Sequence, residues 1–555
     1  MEAQRTTDDM NQITRVVRLI NTIRFIKPVQ IYNRLLRNIR KPRVDLSPAP
    51  SIREIQNEFI RPCGRRQSLT ANNTFNFLNC EHAVESESDW TDDSKSKLWL
   101  YNLHYFDFLR SGVRQEVGEH WVNRWIEENP PGQRIAWDPY TLSLRIVNWI
   151  YWDLSGYTLP EKARHALAVQ MRYLSRCLEV HLQANHLLVN FKAIYFAATY
   201  FDDLKADQLR SIAARGLMRE IDEQFLDDGG HFELSPMYHA ILTEDLLDVL
   251  ALQKCYPQVL SKREDLDLNE RLEKRLPTLL RWLEEMIHPD GDYVLFNDGA
   301  CGVAPQAKEI LKFAERCNIT PKPKRNPIAY QQKSGHARLE CGPSTLFVDI
   351  GDVGASYQPG HAHADTLTFE WSLFGRRFVV DSGTMQYASG AIREHQRSTA
   401  AHNTVEVDHC NSSEVWNAFR VARRAVTFDV SITKEPTHFQ VRASHNGYRQ
   451  ILKAGPVHTR YWCSNDNSLT IKDRLQGNFE VAMSRFHFHP DVSVRQTKPN
   501  QVLLSFGENE IVFIISHGKI SVSDTTYSPE FGLAIPNKSI TVTFHEEQLR
   551  QEFTW

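Results

Sequence analysis

The spacing of hydrophobic positions changes near residue 325. Between about residues 97 and 325, apolar side chains recur every three to four positions, which predicts a series of amphipathic helices joined by short turns. From there to the end, apolar and polar positions alternate in short runs separated by turn signals such as Gly507-Glu508-Asn509, which predicts many antiparallel strands. The sequence therefore predicts a multidomain α+β protein, in which a helical domain precedes an antiparallel sandwich or stacked sheets.

This change of period gives three predicted domains. Residues 1–95 form an N-terminal basic helical segment and an irregular connecting arm, residues 96–325 form the helical domain, and residues 326–555 form the sheet domain. A Pro/Lys-rich linker, Pro321 to Lys324, lies at the second boundary. Ligand sites favour the cleft between two domains, so we expect the functional site at that interface.

The N-terminal segment, residues 13–43, is basic and has the apolar spacing of helices, interrupted at Pro28. Such a segment can dock on its own protein through the apolar stripe, which we favour, or make peripheral contact with an anionic membrane. Residues 44–95 are rich in Pro, Ser, Asn and Asp, which is typical of an irregular arm.

Composition and charge exclude several classes of protein. The 555 residues carry a net charge of −3, so no global field favours nucleic acid. Nine cysteines without a Cys-x-x-Cys pair argue against a disulfide framework or a cysteine zinc cluster. No apolar run approaches 18 residues, so no transmembrane segment is expected, and the N-terminus shows no recognisable secretory signal.

Residues 360–404 concentrate the candidate chemistry of the sheet domain. His361 and His363 are two positions apart, so a strand there would present both rings on one face. A second strand ends at Asp381, and the polar residues Arg393, Arg397 and His402 follow. Imidazole and carboxylate are the usual zinc ligands, but the spacing alone leaves metal binding, acid–base catalysis and both together open.

Two polar stretches interrupt the apolar stripes of the helical domain. Asn185 and His186 lie at a predicted helix start. Ser235-Pro236 is typical of a helix N-cap followed by proline at the first helical position, which places Tyr238 and His239 in the first turn. The positive end of a helix dipole stabilises an anionic ligand or a phenolate there.

An ordered set of motifs resembles the heparinase II/III family of polysaccharide lyases. The motifs are residues 99–107 (Trp-Leu-Tyr-Asn-Leu-His-Tyr-Phe-Asp), Ser143–Trp149, Ala184–Leu188, Gly229–Tyr238, Phe296–Asp298 and Gly360–Asp365, and the match spans about residues 95–430. The resemblance implies an incomplete α/α toroid followed by an antiparallel β-sheet domain, with the active site between them. It also implies a location in the periplasm or cell envelope, although the absence of a recognisable leader leaves the cytoplasm open.

The resemblance also assigns roles to individual residues. The family's catalytic Asn, Tyr and His fall on Asn185, Tyr238 and His361, although His186 is adjacent to the first and is an alternative partner. The zinc site of some members matches His363, Asp381 and His402, where a metal would be structural. No organic cofactor is implied, and the expected partner is an acidic polysaccharide.

Elimination from a uronate needs donors that neutralise the sugar carboxylate, because only then is the C5 proton acidic. Asn185 supplies neutral donors, and the predicted substrate-binding residues that could add charge are His186, His239, Arg393 and Arg397. Tyr238 and His361 are then the acid and the base, in an order that the sequence leaves open; a Tyr between cations or at a helix start can have its pKa lowered toward the working pH. The alternatives are a metal-assisted glycan hydrolase and a non-catalytic polysaccharide-binding protein in envelope assembly.

Overall fold

The structure is a computed structural model that describes residues 15–39, 42–133, 135–323, 328–435 and 437–555. Residues 13, 14, 40 and 41 of the predicted basic segment lie outside the described residues. So do residues 1–12, which precede that segment, and residue 324 of the predicted linker.

Helices dominate the first three fifths of the chain. They are α1 (15–23), α2 (Pro28–Ile39), α3 (Lys97–Tyr105), α4 (Gln115–Glu128), α5 (Pro139–Leu154), α6 (Glu161–Leu174), α7 (Ala184–Tyr200), α8 (Leu204–Gln224), α9 (Pro236–Cys255), α10 (Arg263–Glu285), α11 (Ala307–Arg316), α12 (Ala391–Gln396) and α13 (Gly447–Ile451). The predicted mixture of helix and sheet is confirmed.

Strands dominate the remainder. They are β1 (Ser51–Ile52), β2 (Leu69–Ala71), β3 (Thr74–Phe77), β4 (Cys80–Ala83), β5 (Phe201–Asp202), β6 (Ile328–Gln331), β7 (His336–Cys341), β8 (Ser344–Asp349), β9 (Phe369–Leu373), β10 (Arg376–Val379), β11 (Val405–Val407), β12 (Val415–Trp416), β13 (Arg420–Val421), β14 (Thr427–Glu435), β15 (His438–His445), β16 (Val457–Asn465), β17 (Ser468–Gln476), β18 (Ala482–His487), β19 (Ser493–Lys498), β20 (Gln501–Phe506), β21 (Asn509–Ile515), β22 (Lys519–Tyr527), β23 (Ile535–Phe544) and β24 (Gln548–Thr554).

The larger sheets are antiparallel and share one core. Their strand orders are β10-β9-β8-β7-β6, β11-β18-β23-β22 and β14-β15-β16-β17-β24-β21-β20-β19. Alternate side chains of all three sheets meet in one apolar cluster. Within it the ring of Trp371 on β9 lies 5.4 Å from that of Phe553 on β24. A second cluster fills the helical half, so each half has its own core.

Two local predictions are wrong. The arm at residues 44–95 is not wholly irregular, because β2, β3 and β4 pair there as a three-stranded sheet. The stretch around His361 and His363 is turn and coil rather than strand, and β9 begins only at Phe369. Leu367 has φ 64°, a left-handed conformation that interrupts an extended strand at that point.

No helix in the described part of the chain combines the length and the apolar character needed to cross a lipid bilayer.

Candidate active site

A cavity of about 1140 Å³ lies between the helical and the sheet halves. Four of the predicted site residues line it: Asn185, His186, Tyr238 and His361. The first three come from the N-terminal turns of α7 and α9, and His361 comes from the loop before β9. The fold thus brings an amide, a phenol and imidazoles together from positions 176 residues apart in the sequence.

The start of α7 sets the position of Asn185. Gln183 and Ala184 both have positive φ, of 65° and 52°, so the chain turns sharply into the helix. Such conformations are uncommon outside glycine and concentrate at functional sites. The amide Nδ2 of Asn185 lies 3.0 and 3.1 Å from the two carboxylate oxygens of Glu233, which fixes its orientation at the cavity wall.

Tyr238 lies in the first turn of α9, where proline occupies the first helical position as predicted. Its ring packs on that of His361 with centroids 4.1 Å apart, and its hydroxyl lies 3.0 Å from the hydroxyl of Tyr387. The predicted lowering of its pKa is wrong. Burial, with the neighbouring Tyr387 adding to it, raises the pKa of Tyr238 well above the usual value, so the phenol is neutral.

Asp298 holds the two histidines of the loop before β9. Its Oδ2 accepts from Nδ1 of His361 at 2.9 Å, and its Oδ1 lies 2.8 Å from Nε2 of His363. Arg393 pairs with both oxygens of the same carboxylate. Burial favours the protonated acid, but Arg393 and the histidines hold the pKa of Asp298 well below its usual range. The Nε2 atom of His361 lies 3.6 Å from Glu233, beside Asn185.

His186 is paired with Glu179 on the same wall of the cavity. Nδ1 of His186 lies 3.2 Å from Glu179 Oε2, and Tyr140 packs against the ring at 4.6 Å. Burial favours the neutral ring, but the Glu179 carboxylate overrides it and raises the pKa of His186. The site therefore contains an imidazole that keeps its proton to higher pH than an ordinary histidine.

Three predicted substrate-binding residues do not reach the cavity. His239 is buried against Trp282, with Nε2 3.0 Å from the carbonyl oxygen of Leu279. Arg393 is buried and pairs with Asp298, and Arg397 is buried and donates to the carbonyls of Ala362, Asn417 and Arg420. Their predicted role is wrong, because burial and internal partners occupy these side chains.

The predicted metal ligands require one correction. His363 and His402 lie with Asp365, and one ligand atom from each falls within 4.8 Å of the others. Asp381 instead accepts from His402 Nδ1 at 2.6 Å and from the Gly383 amide, so both of its oxygens are engaged. Asp365 therefore replaces Asp381 as the candidate ligand.

His363, Asp365 and His402 each have a buried, unpaired atom that could bind a metal ion. Nδ1 of His363, Oδ2 of Asp365 and Nε2 of His402 are buried without a hydrogen-bond partner in the described structure. Two nitrogens and a carboxylate oxygen are a common zinc donor set. The opposite ring nitrogens contact Asp298 and Asp381, which is the carboxylate support usual behind metal-bound histidines.

Many cations line the cavity. They are Arg34, Arg37, Arg65, Arg66, Lys97, Arg110, Lys192, Arg420 and Arg424. Some are paired with carboxylates, as Arg65 and Arg110 are with Glu244. Arg34 and Arg420 form no ion pair among the described residues, so they are available to an anionic ligand.

Three further residues belong to the site. Glu233 orients Asn185, Asp298 orients His361, and Tyr387 contacts Tyr238. Glu233 and Asp298 fall inside the motifs at Gly229–Tyr238 and Phe296–Asp298, which is the sequence signal for them. Tyr387 lies in the loop after β10, outside every motif identified in the sequence, so its role appears only in the structure.

Comparison with known families covers most of the chain. The family model described as "Heparinase II/III N-terminus" matches residues 91–322, and the one described as "Heparinase II/III-like, C-terminal" matches residues 323–555. Together they contain every candidate site residue named above except the cavity-lining Arg34, Arg37, Arg65 and Arg66.

Two curated relatives are heparin-sulfate lyases. The protein from Bacteroides stercoris is 24% identical over 376 residues, which cover 61% of this chain and 54% of that protein. The protein from Pedobacter heparinus is 24% identical over 336 residues, which cover 54% of this chain and 49% of that protein. The chain thus spans about half the length of the curated relatives it matches.

Solved structures share the fold. A crystal structure of heparinase III has a TM-score of 0.69 at 17% identity, covering 95% of this chain and 88% of that one. A heparan sulfate lyase HepC mutant from Pedobacter heparinus has a TM-score of 0.60 at 16% identity, covering 95% of this chain and 87% of that one. At these identities the likeness extends to the fold alone.

Proposed function

The chain belongs to the heparinase II/III family, and from this premise we propose that it is a carbon–oxygen lyase that cleaves a uronate-containing acidic polysaccharide by β-elimination. The observation that carries the proposal is the meeting of Asn185, Tyr238 and His361 at one cavity lined by cations. The curated relatives are named as lyases acting on heparin sulfate, a sulfated acidic polysaccharide, which agrees with this assignment.

His361 is the proposed base. Its Nδ1 faces Asp298, so this carboxylate favours the tautomer that leaves the Nε2 lone pair for the C5 proton. As C5 loses its proton, a double bond forms between C4 and C5 and the bond from C4 to the glycosidic oxygen breaks. The Asp298 carboxylate then stabilises the imidazolium that His361 becomes.

Tyr238 is the proposed acid. Its raised pKa keeps the hydroxyl protonated, so it can donate to the departing oxygen of the glycosidic bond. The hydroxyl of Tyr387, 3.0 Å away, stabilises the phenolate that forms. Before the next turnover, His361 releases the proton it took from C5 and Tyr238 regains a proton.

Asn185 and the cavity cations are the proposed ligands of the uronate carboxylate. The amide nitrogen of Asn185 has two hydrogens, so contact with Glu233 leaves one for the substrate. The unpaired Arg34 and Arg420 add positive potential, which suits further sulfate or carboxylate groups of the polymer, and a proton on His186 offsets the charge of Glu179.

We further propose one structural zinc ion held by His363, Asp365 and His402. When bound, such an ion supplies a cross-link between the loop before β9 and the segment after α12. His363 and His361 share Asp298, so the ligand set fixes the loop that carries the proposed base.

We also propose the finer architecture of the two halves. The helices α3 to α11 would form an incomplete α/α toroid over residues 96–325, and the sheets would form a stacked antiparallel domain over residues 326–555. The separate apolar clusters of the two halves support this division.

Incubation with heparan sulfate, alginate and bacterial capsular uronates tests the proposal. The expected result is ultraviolet absorbance from the unsaturated uronate product, with mass spectrometry showing fragments that have not gained water. Reducing ends that appear without this absorbance would indicate hydrolysis, and tight binding without turnover would indicate a non-catalytic role; either result would contradict the proposal.

A further inference from the structure

The first two helices turn their apolar sides toward solvent. In α1, Val16, Leu19, Ile20 and Ile23 have the i, i+3, i+4, i+7 spacing of a single stripe, and all four are exposed. In α2, Ile31, Leu35 and Ile39 repeat at intervals of four and are also exposed. The exposed fraction reaches 61% at Ile20 on α1 and 80% at Ile39 on α2, and it is 60% at Leu35.

The polar sides of the same helices contact the rest of the protein. On α1, Arg18 Nε lies 2.9 Å from Glu414, and Thr22 accepts from the Trp416 indole at 3.2 Å. On α2, Gln30 is buried and Arg37 lies 2.7 Å from His181 Nε2. The prediction that the segment docks on its own protein through the apolar stripe is therefore wrong, because polar contacts hold it in place.

An exposed apolar stripe of this extent needs a partner. Contiguous apolar surface rimmed by polar groups marks an interaction site on soluble proteins. Ten of the 22 large exposed hydrophobic side chains of the described residues lie on α1 and α2: Val16, Val17, Leu19, Ile20, Ile23, Val29, Ile31, Tyr32, Leu35 and Ile39.

The charge of the segment indicates the chemistry of that partner. Residues 13–43 contain nine Lys and Arg and no Asp or Glu, whereas the whole chain has 65 basic and 68 acidic residues. Arg15 and Arg24 are exposed beside the stripe of α1. Basic side chains around an apolar stripe complement a surface that is anionic outside and apolar beneath.

We propose that α1 and α2 form a docking surface for an anionic lipid bilayer. The apolar stripes enter the boundary between headgroups and acyl chains, and the flanking arginines contact the headgroups. Thr22, Phe25 and Arg37 of the same segment also line the cavity, so docking places the mouth of the cavity beside the lipid surface. This inference rests on the surface of the N-terminal helices and is independent of the proposed reaction.

Co-sedimentation of the full chain with vesicles tests the proposal. Binding is expected to vesicles that contain phosphatidylglycerol and phosphatidylcholine, to weaken in high salt, and to be at least tenfold weaker to phosphatidylcholine alone. The double variant Arg15→Gln/Arg24→Gln should reduce the partition coefficient by about fivefold per cation removed.

A matched pair of variants distinguishes binding through the apolar stripes from binding through any exposed apolar side chain. Ile20→Gln/Leu35→Gln changes two exposed stripe residues and should lower vesicle binding at least tenfold. Ile212→Gln on α8 changes a helical isoleucine that is 50% exposed, and it should bind as the wild type does. Circular dichroism and the melting temperature should be unchanged in both, because all three side chains face solvent.

Three outcomes would overturn the proposal. One is equal binding to anionic and zwitterionic vesicles, and another is unchanged binding of Ile20→Gln/Leu35→Gln. The third is evidence that a second copy of the chain covers the stripe. In that case the wild type would form a dimer in sedimentation equilibrium, Ile20→Gln/Leu35→Gln would be a monomer, and neither protein would bind vesicles.

Discussion

Nδ1 of His361 lies 2.9 Å from Oδ2 of Asp298, so the proposed base is held by a carboxylate contributed by the other half of the molecule. The other oxygen of Asp298 lies 2.8 Å from His363, a candidate metal ligand, and Arg393 balances the charge. One buried carboxylate thus links the proposed base, the candidate metal site and a guanidinium. The position of His361 therefore depends on the contact between the two halves.

Substitution Asp298→Asn should reduce kcat by about 10³- to 10⁴-fold, because an amide does not enforce the reactive tautomer of His361 or stabilise its cation. KM should change little, since Asp298 is buried below the cavity wall. The variant should also lose about 3–5 kcal/mol of stability, because Arg393 keeps a buried charge without its partner. Steady-state kinetics and denaturant unfolding measure both effects.

The double variant Asp298→Asn/Arg393→Gln provides the control for this prediction. It removes both buried charges, so much of the stability should return while kcat stays low. Recovery of kcat together with stability would show that Asp298 acts only through folding.

Tyr238→Phe should lower kcat by about 10²- to 10⁴-fold with an unchanged melting temperature, because among the described residues the hydroxyl bonds only to Tyr387 and otherwise faces the cavity. A uronate with fluoride as the leaving group at C4 does not need a proton donor, so this substrate should be eliminated at nearly the wild-type rate. Equal loss on both substrates would contradict the assignment of Tyr238 as the acid. Tyr387→Phe retains the acid and should cost only about tenfold.

His186 should give substrate binding a pH dependence. Its pKa in the folded protein is raised, so the ring is charged below that pKa and loses its proton as pH rises through it, above 6.5. The His186–Glu179 pair then changes from neutral to negative and repels an anionic substrate. KM should rise about twofold to fivefold across this transition in the wild type and stay flat in His186→Gln. A KM that is flat in both proteins would refute the role.

The sequence predicts those parts of the site that depend on neighbouring residues, such as helix starts. Ser235 and Pro236 define the start of α9 and hence place Tyr238 at its N-terminus, and a helix indeed begins just before Asn185. The period of the apolar positions likewise separates the helical from the sheet half. These features depend on residues within a few positions of each other, so a single sequence contains the information.

Other features depend on contacts between distant segments. The spacing of His361 and His363 suggested a strand, but Asp298, more than sixty residues away, binds both rings and the chain follows a turn instead. The sequence predicts Arg393 and His239 as donors to a substrate, because polar residue types do not reveal burial. The raised pKa of Tyr238 has the same origin, since desolvation in the assembled wall outweighs the effect of the helix start.

The candidate metal site distinguishes two aspartates that the sequence alone does not. Asp365 has an unpaired oxygen among His363 and His402, whereas Asp381 contacts the far nitrogen of His402. Asp365→Asn should therefore abolish stoichiometric zinc binding by the purified protein. Asp381→Asn should retain one zinc at saturation with about 10- to 100-fold weaker affinity. Metal analysis after dialysis against graded free zinc distinguishes the two.

Removal of the zinc should then act on the loop that carries the base. At zinc concentrations of 100 to 1,000 times Kd, binding stabilises the fold by about 3–4 kcal/mol, so chelation should lower the melting temperature. It should also lower kcat, since His363 and His361 share Asp298 and the loop loses its cross-link. Asp365→Asn should resemble the chelated wild type and be insensitive to chelator. An apo protein with full activity and an unchanged melting temperature would exclude a structural metal and leave Asp298 alone to position His361.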